Sequence, residues 1–126
     1  MSGPKSSMTT THADRPIEPG DLILVELGPV RGTEQDGRRP ALVVSFAEMH
    51  TLTKRAVICP VTSNLDPWPT KVFLPEGLGV RGAVLTDQIR SIDRQNRLLR
   101  RIGSVPSVVL ADVRHQLALI LGLRTE

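Results

Sequence analysis

Proline or glycine brackets nearly every apolar run in this chain, and the runs between them are short. DLILVEL lies between Pro19-Gly20 and Gly28-Pro29, and PALVVSF begins at Pro40. TKVFLP ends in the Pro75-Glu76-Gly77 turn, and GAVLTDQIRSI begins at Gly82. Proline lacks the N–H that a ladder needs, and glycine tolerates turn conformations that other residues avoid. The pattern predicts short strands over this region. RAVICPVTS is a further strand, in which Pro60 marks an edge or a bulge. RRIGSV is a sixth, and DRQNRLL before it reads as a short helix.

The pattern changes after Pro106. Leu110, Val113, Leu117, Ile120 and Leu121 recur at the three-four spacing of one helical face, with Asp112, His115 and Gln116 on the other side. Pro106 suits the first turn of this helix and Gly122 its stop. Several short strands and one terminal helix give a mainly β fold with α (α+β), a small curled sheet or barrel with the helix packed on it. Short strands leave little edge protection, so a dimer is expected. Residues 1–16 are polar and without periodicity and read as a disordered arm. Residues 17–126 read as one domain.

Phe46, Phe73 and Trp68 are the only aromatic residues, so Val, Leu, Ile and Ala must build the core. No apolar run approaches the roughly 20 residues of a membrane span. The Ser/Thr-rich N-terminus is followed by no apolar signal segment. Cys59, the single cysteine, can form neither an internal disulfide nor a zinc site, and reads as a small buried hydrophobe. A cytoplasmic location is the expectation.

The net charge is +3 and the pI about 9.8. Lysine appears only at Lys5, Lys54 and Lys71; arginine supplies the remaining cations. The run RSIDRQNRLLRR, Arg90 to Arg101, carries five arginines against one acid. The planar guanidinium suits phosphate, although a solvated surface explains the run equally well. RGTEQDGRRPALVVS, residues 31–45, is more pointed: a connection between the first two strands that sets the acid Glu34 and the amide Gln35 before two adjacent arginines, Arg38 and Arg39. Pro40 biases Arg39 toward an extended backbone, so Arg38 and Arg39 enter the strand with side chains on opposite sides. One can face a cleft, with Glu34 and Gln35 across the same connection. This is a candidate anion site beside a carboxylate, or else a solvated loop with weak pairing.

Taken in order, GDLILVELGPVRGTEQDGRRPALVVS, ICPVTS, AVLTDQIRSIDRQ and RRIGSVPSVVLADVRHQLALILGL resemble the MazF/PemK toxins of bacterial toxin–antitoxin modules, over about Pro19 to Leu123. The resemblance implies an SH3-like barrel of about five to seven short strands with a C-terminal helix, acting as a homodimer. It implies an endoribonuclease that cuts single-stranded RNA at short motifs, needs no metal or other cofactor, and inhibits translation and growth. It also implies an antitoxin partner whose acidic, flexible tail covers the basic cleft.

Metal-free RNA cleavage uses the ribose 2′-OH as nucleophile and leaves a 2′,3′-cyclic phosphate and a 5′-hydroxyl. The site must supply fixed positive charge at the phosphate oxygens and must move two protons. His12, His50 and His115 lie outside the matching motifs: in the arm, in a variable loop and on the helix. Arg39 and Thr62 match the family's catalytic arginine and threonine, and Glu34 an acid tied to activity in some members. Gln35, Arg38, Ser63, Asp87, Gln88 and Arg90 match blocks expected to hold RNA. Asp87 and Gln88 are placed to read base edges, because an acid beside a phosphate chain repels it unless it accepts from a base.

The chain departs from the family at three places. An aliphatic residue, Ile23 or Leu24, replaces an aromatic in the first strand. DPWPTKV replaces an aromatic-rich stretch, leaving Trp68 to stack on a base. Leu85 stands where some relatives have a catalytic arginine. Two other readings remain at this stage: a barrel of the same shape that poisons gyrase, as CcdB toxins do, and a non-catalytic nucleic-acid-binding module.

Overall fold

The computed structural model describes residues 16–28 and 37–123. Seven strands are present: β1 (Asp21–Glu26), β2 (Arg38–Val43), β3 (Arg55–Thr62), β4 (Lys71–Phe73), β5 (Ala83–Leu85), β6 (Arg90–Asp93) and β7 (Leu98–Ser104). Three helices accompany them: α1 (Ala47–Thr53), α2 (Arg94–Arg97) and α3 (Ser107–Leu121). The fold is α+β, as the sequence predicts. The strands form one sheet in the order β4-β5-β3-β2-β1-β7, with β6 also paired to β3. β6 and β7 are joined through α2 rather than to each other, so among the described residues hydrogen bonds do not close the sheet into a barrel.

Both faces of the central strands are buried. Ile23 and Val25 of β1, Ala41 and Val43 of β2, and Ala56 and Ile58 of β3 pack on one side with Ile92 and Leu98. Leu22, Leu42, Cys59 and Val61 pack on the other, under Val113 and Leu117 of α3. Strands covered twice need apolar residues at successive positions, which is why they appear as continuous runs. Burying each such Val, Leu or Ile contributes about 1.5–3 kcal/mol.

Pro60 occupies neither an edge nor a bulge. Val57 accepts a hydrogen bond from Val44 N–H, on the β2 side of β3. By alternation, Ala56, Ile58, Pro60 and Thr62 turn their backbone groups to the opposite edge. There β6 pairs with Arg55–Ile58 and β5 with Val61–Thr62. The missing N–H of Pro60 falls in the gap between the two partners. The same gap corrects the single strand expected over GAVLTDQIRSI: it is β5, one 3-10 turn over Thr86–Gln88, and β6.

His50, expected in a loop, lies in α1 and is buried. This helix has seven residues, no side-chain N-cap and a left-handed Lys54 at its end, so no recognisable start signal precedes it. On α3 the buried positions are Val109, Val113 and Leu117. Ile120 and Leu121, assigned to that face from their spacing, are 41% and 56% exposed. Pro106 is the N-cap rather than a first-turn residue, and Gly122 ends the helix at φ 72°. The arm expected over residues 1–16 lies, apart from Pro16, outside the described residues. No helix among the described residues is long and apolar enough to cross a membrane.

Candidate active site and RNA interface

β2 runs between β1 and β3. It pairs Arg39 with Val25 on one side, and Ala41 with Pro60 and Val43 with Ile58 on the other. Continuing the second register by two residues sets Arg39 across from Thr62. Arg39 shares its face of β2 with Ala41 and Val43, and Thr62 shares its face of β3 with Ile58, so both belong to the same side of the sheet. Arg39 is half-buried and Arg38 exposed, in keeping with the opposite orientations expected for them.

Thr62 ends β3, half-buried, and its Oγ1 accepts from Asn64 N–H at 3.1 Å. Its own O–H remains available to donate. Gly82 presses on it from the β4–β5 connection: a β-carbon there would collide with the Thr62 carbonyl, and its φ of +138° is one that side chains rarely permit. Gly37, at the start of β2, is needed for a similar reason. A β-carbon would strike the Gly28 carbonyl and the Glu26 carboxylate, where Gly37 O accepts from Leu27 N–H at 2.9 Å.

A groove of about 460 Å³ opens beside Thr62 and reaches Asp87 and Gln88. The connection between β3 and β4 forms its outer wall. Lys71 Nζ ties that connection down by donating to the carbonyls of Asn64 (2.7 Å) and Asp66 (2.6 Å). Thr86 Oγ1 donates to Thr70 O at 2.6 Å, and Trp68 Nε1 donates to Asp87 Oδ2 at 3.1 Å. Asp87 and Gln88 project from the 3-10 turn in the gap between β5 and β6, so the broken ladder is what presents them. Behind the groove, burial first and the charge of Asp87 second push the Cys59 thiol up to about 12, so it stays protonated and inert.

The expected site residues do not all meet. Arg90 is exposed at the start of β6 and lines a second groove of about 380 Å³ with Arg55 and Arg97. Ser63 is exposed next to Thr62. Glu34 and Gln35 lie outside the described residues, as does His12. The arginine run serves several purposes. Arg101 pairs with Asp21 at 3.2 Å, Arg94 donates to His50 O, and Arg97 donates to Glu26 O. Asp93 caps α2 by accepting from Gln95 N–H. His50 is structural: its Nδ1 lies 3.0 Å from Ile17 O and its Nε2 2.6 Å from Ser45 Oγ. His115 is exposed on α3. No group of three His, Cys, Asp or Glu side chains among the described residues is arranged to hold a metal ion.

Asn64, Asp66 and Lys71 shape the groove without having been singled out from the sequence. The signal for them was weak: an Asn two residues before an Asp suggests a side-chain-to-backbone turn, and nothing more.

Residues 18–121 match the family model of the PemK-like, MazF-like toxin of type II toxin–antitoxin systems. The chain belongs to this family. Endoribonuclease PemK of Escherichia coli is 38% identical over 109 residues, covering 83% of this chain and 82% of that protein. The crystal structure of MazF from Deinococcus radiodurans is 42% identical with a TM-score of 0.77, covering 87% of this chain and all of that one. A MazE–MazF structure from the same organism gives a TM-score of 0.75 at 37% identity, covering 88% of this chain and 100% of that one. Curated members of the MazF/PemK family related to this chain are thus named as endoribonucleases. In this member the groove wall carries Leu85, half-buried.

Proposed function

We propose that this MazF/PemK toxin cleaves single-stranded RNA at short sequence motifs without a metal ion. The observation that supports this most is the β2–β3 register, which continued by two residues brings Arg39 across from Thr62, a residue that lines the groove. Arg39 is permanently charged and can bind two phosphate oxygens at once, so it stabilises the charge that builds as the 2′-oxygen attacks phosphorus. Thr62 donates its hydroxyl to the same phosphate. The P–O2′ bond forms and the P–O5′ bond breaks. The 2′ proton passes to a base, for which Glu34 is the proposed carboxylate, and the 5′-oxygen takes up a proton. The products are a 2′,3′-cyclic phosphate and a 5′-hydroxyl. Gln35, Arg38, Ser63, Asp87, Gln88 and Arg90 are the proposed contacts to flanking nucleotides. The protein acts as a homodimer in the bacterial cytoplasm, inhibits translation and growth, and is restrained by an antitoxin whose acidic flexible tail competes for the arginines.

Incubation with a long unstructured RNA in EDTA, followed by mapping of the ends, tests the proposal. Cuts with 5′-hydroxyl termini that vanish in Arg39→Ala are expected. Binding without cuts would replace this reading with that of a non-catalytic RNA-binding module.

A further inference from the structure

The groove beside Thr62 has the construction of a nucleobase pocket rather than a phosphate track. One wall is the indole of Trp68, 58% exposed and fixed in orientation by its bond to Asp87. Pro67 and Leu85 extend the apolar lining. An aromatic face held in place offers stacking to any base, worth about 1–3 kcal/mol. The polar rim is unusual for an RNA-binding surface: Asp66 and Asp87 outnumber Lys71. Two carboxylates against one ammonium repel a phosphate and attract a group that presents N–H donors.

The four bases differ in how they can meet a carboxylate. Adenine and cytosine place an acceptor nitrogen beside their one amino group, and uracil flanks its single N–H with carbonyls. Guanine alone presents two adjacent donors, N1–H and the 2-amino group, beside the O6 acceptor. Asp87 has given one lone pair of Oδ2 to Trp68, and an ionised carboxylate has about four such sites. Lys71 uses two of its three donors on the loop carbonyls, leaving one for an acceptor such as O6.

We propose that this groove is a guanine-reading pocket that sets the sequence preference next to the cleaved bond, with Asp87 accepting from the Watson–Crick edge and Trp68 stacking on the ring. The assignment rests on the ribonuclease reading for its role in cleavage, but not for its binding chemistry.

Trp68 is the chain's one tryptophan, so its fluorescence reports on the pocket directly. The test is a titration of the full chain with 2′-O-methyl trinucleotides, which cannot be cleaved, carrying guanine, hypoxanthine, adenine, cytosine or uracil at the centre. Guanine should quench at the lowest concentration. Hypoxanthine lacks only the 2-amino group and should need about tenfold more. Asp87→Asn should erase that tenfold difference. Equal quenching by guanine and hypoxanthine, a preference for another base, or no quenching at all would overturn the proposal. The cleavage assay in EDTA fails or succeeds separately: cuts in RNA without a guanine preference in the titration would leave the nuclease standing and remove the pocket.

Discussion

Gly82 lies against the carbonyl of Thr62 with no space for a β-carbon between them. The contact locks the end of β3 to the β4–β5 connection, where Gly82 O also accepts from Leu74 N–H at 2.9 Å. Gly82→Ala combines a forbidden backbone angle with a steric collision, and should lower stability by about 2–4 kcal/mol. Urea unfolding measures it. A midpoint equal to that of the unsubstituted protein would show that the two segments are not locked.

Arg39→Ala should reduce cleavage by about 100- to 1,000-fold, the range for loss of one preorganised charge stabiliser. Arg39→Lys should recover only part of this, since an ammonium cannot grip two phosphate oxygens in one plane. Thr62→Val should lose activity and Thr62→Ser should retain it. Single-turnover rates, with thermal melts to verify folding, decide the matter. Equal rates for Thr62→Val and Thr62→Ser would remove the hydroxyl from the chemistry.

Cys59 carries a pH signature. Its thiol ionises near 9.0 when unperturbed and at about 12 in the folded protein. Below pH 9 both states keep the proton and stability is unaffected. Between pH 9 and 12 only the unfolded chain loses it, so stability falls as pH rises, with a slope approaching about 1.4 kcal/mol per unit. Chemical unfolding of the protein and of Cys59→Ala across this window isolates the effect: the difference between them should shrink or reverse as pH rises. A constant difference would contradict it. The native thiol should also resist alkylation at pH 8.

His50→Ala should destabilise by about 2–4 kcal/mol, because it opens a cavity, leaves Ile17 O without its side-chain partner and removes one of the two partners of Ser45 Oγ. RNA cleavage by the folded fraction should persist. Loss of cleavage with an unchanged melting temperature would give His50 a role in the chemistry that its burial argues against.

The strands were legible because doubly buried runs bracketed by Pro and Gly have few other uses, and α3 because its apolar spacing is regular. What eluded the sequence depended on contacts between distant residues. α1 is too short to show a period. The break at Thr86–Gln88 follows from how β3 changes partners, which the segment itself does not encode. Ile120 and Leu121 keep the helical spacing yet stay exposed. At the site, Arg38 and Arg39 were readable as a pair from Pro40, since the proline constrains its neighbour locally. Their relation to Thr62 needed the β2–β3 register, and the bond from Trp68 to Asp87 joins positions that only the folded chain brings together. The arginine run illustrates the opposite error: five similar charges look like one patch, yet Asp21, His50 and Glu26 draw three of them to different tasks.

Lys71 grips the β3–β4 connection only through the carbonyls of Asn64 and Asp66, which every amino acid possesses. That grip is therefore indifferent to side chains, and only Asn64 and Trp68 add bonds of their own side chains to the wall. Rewriting positions 65–67 around unaltered Asn64, Trp68 and Lys71 offers a route to variants that share one frame yet present different groove walls.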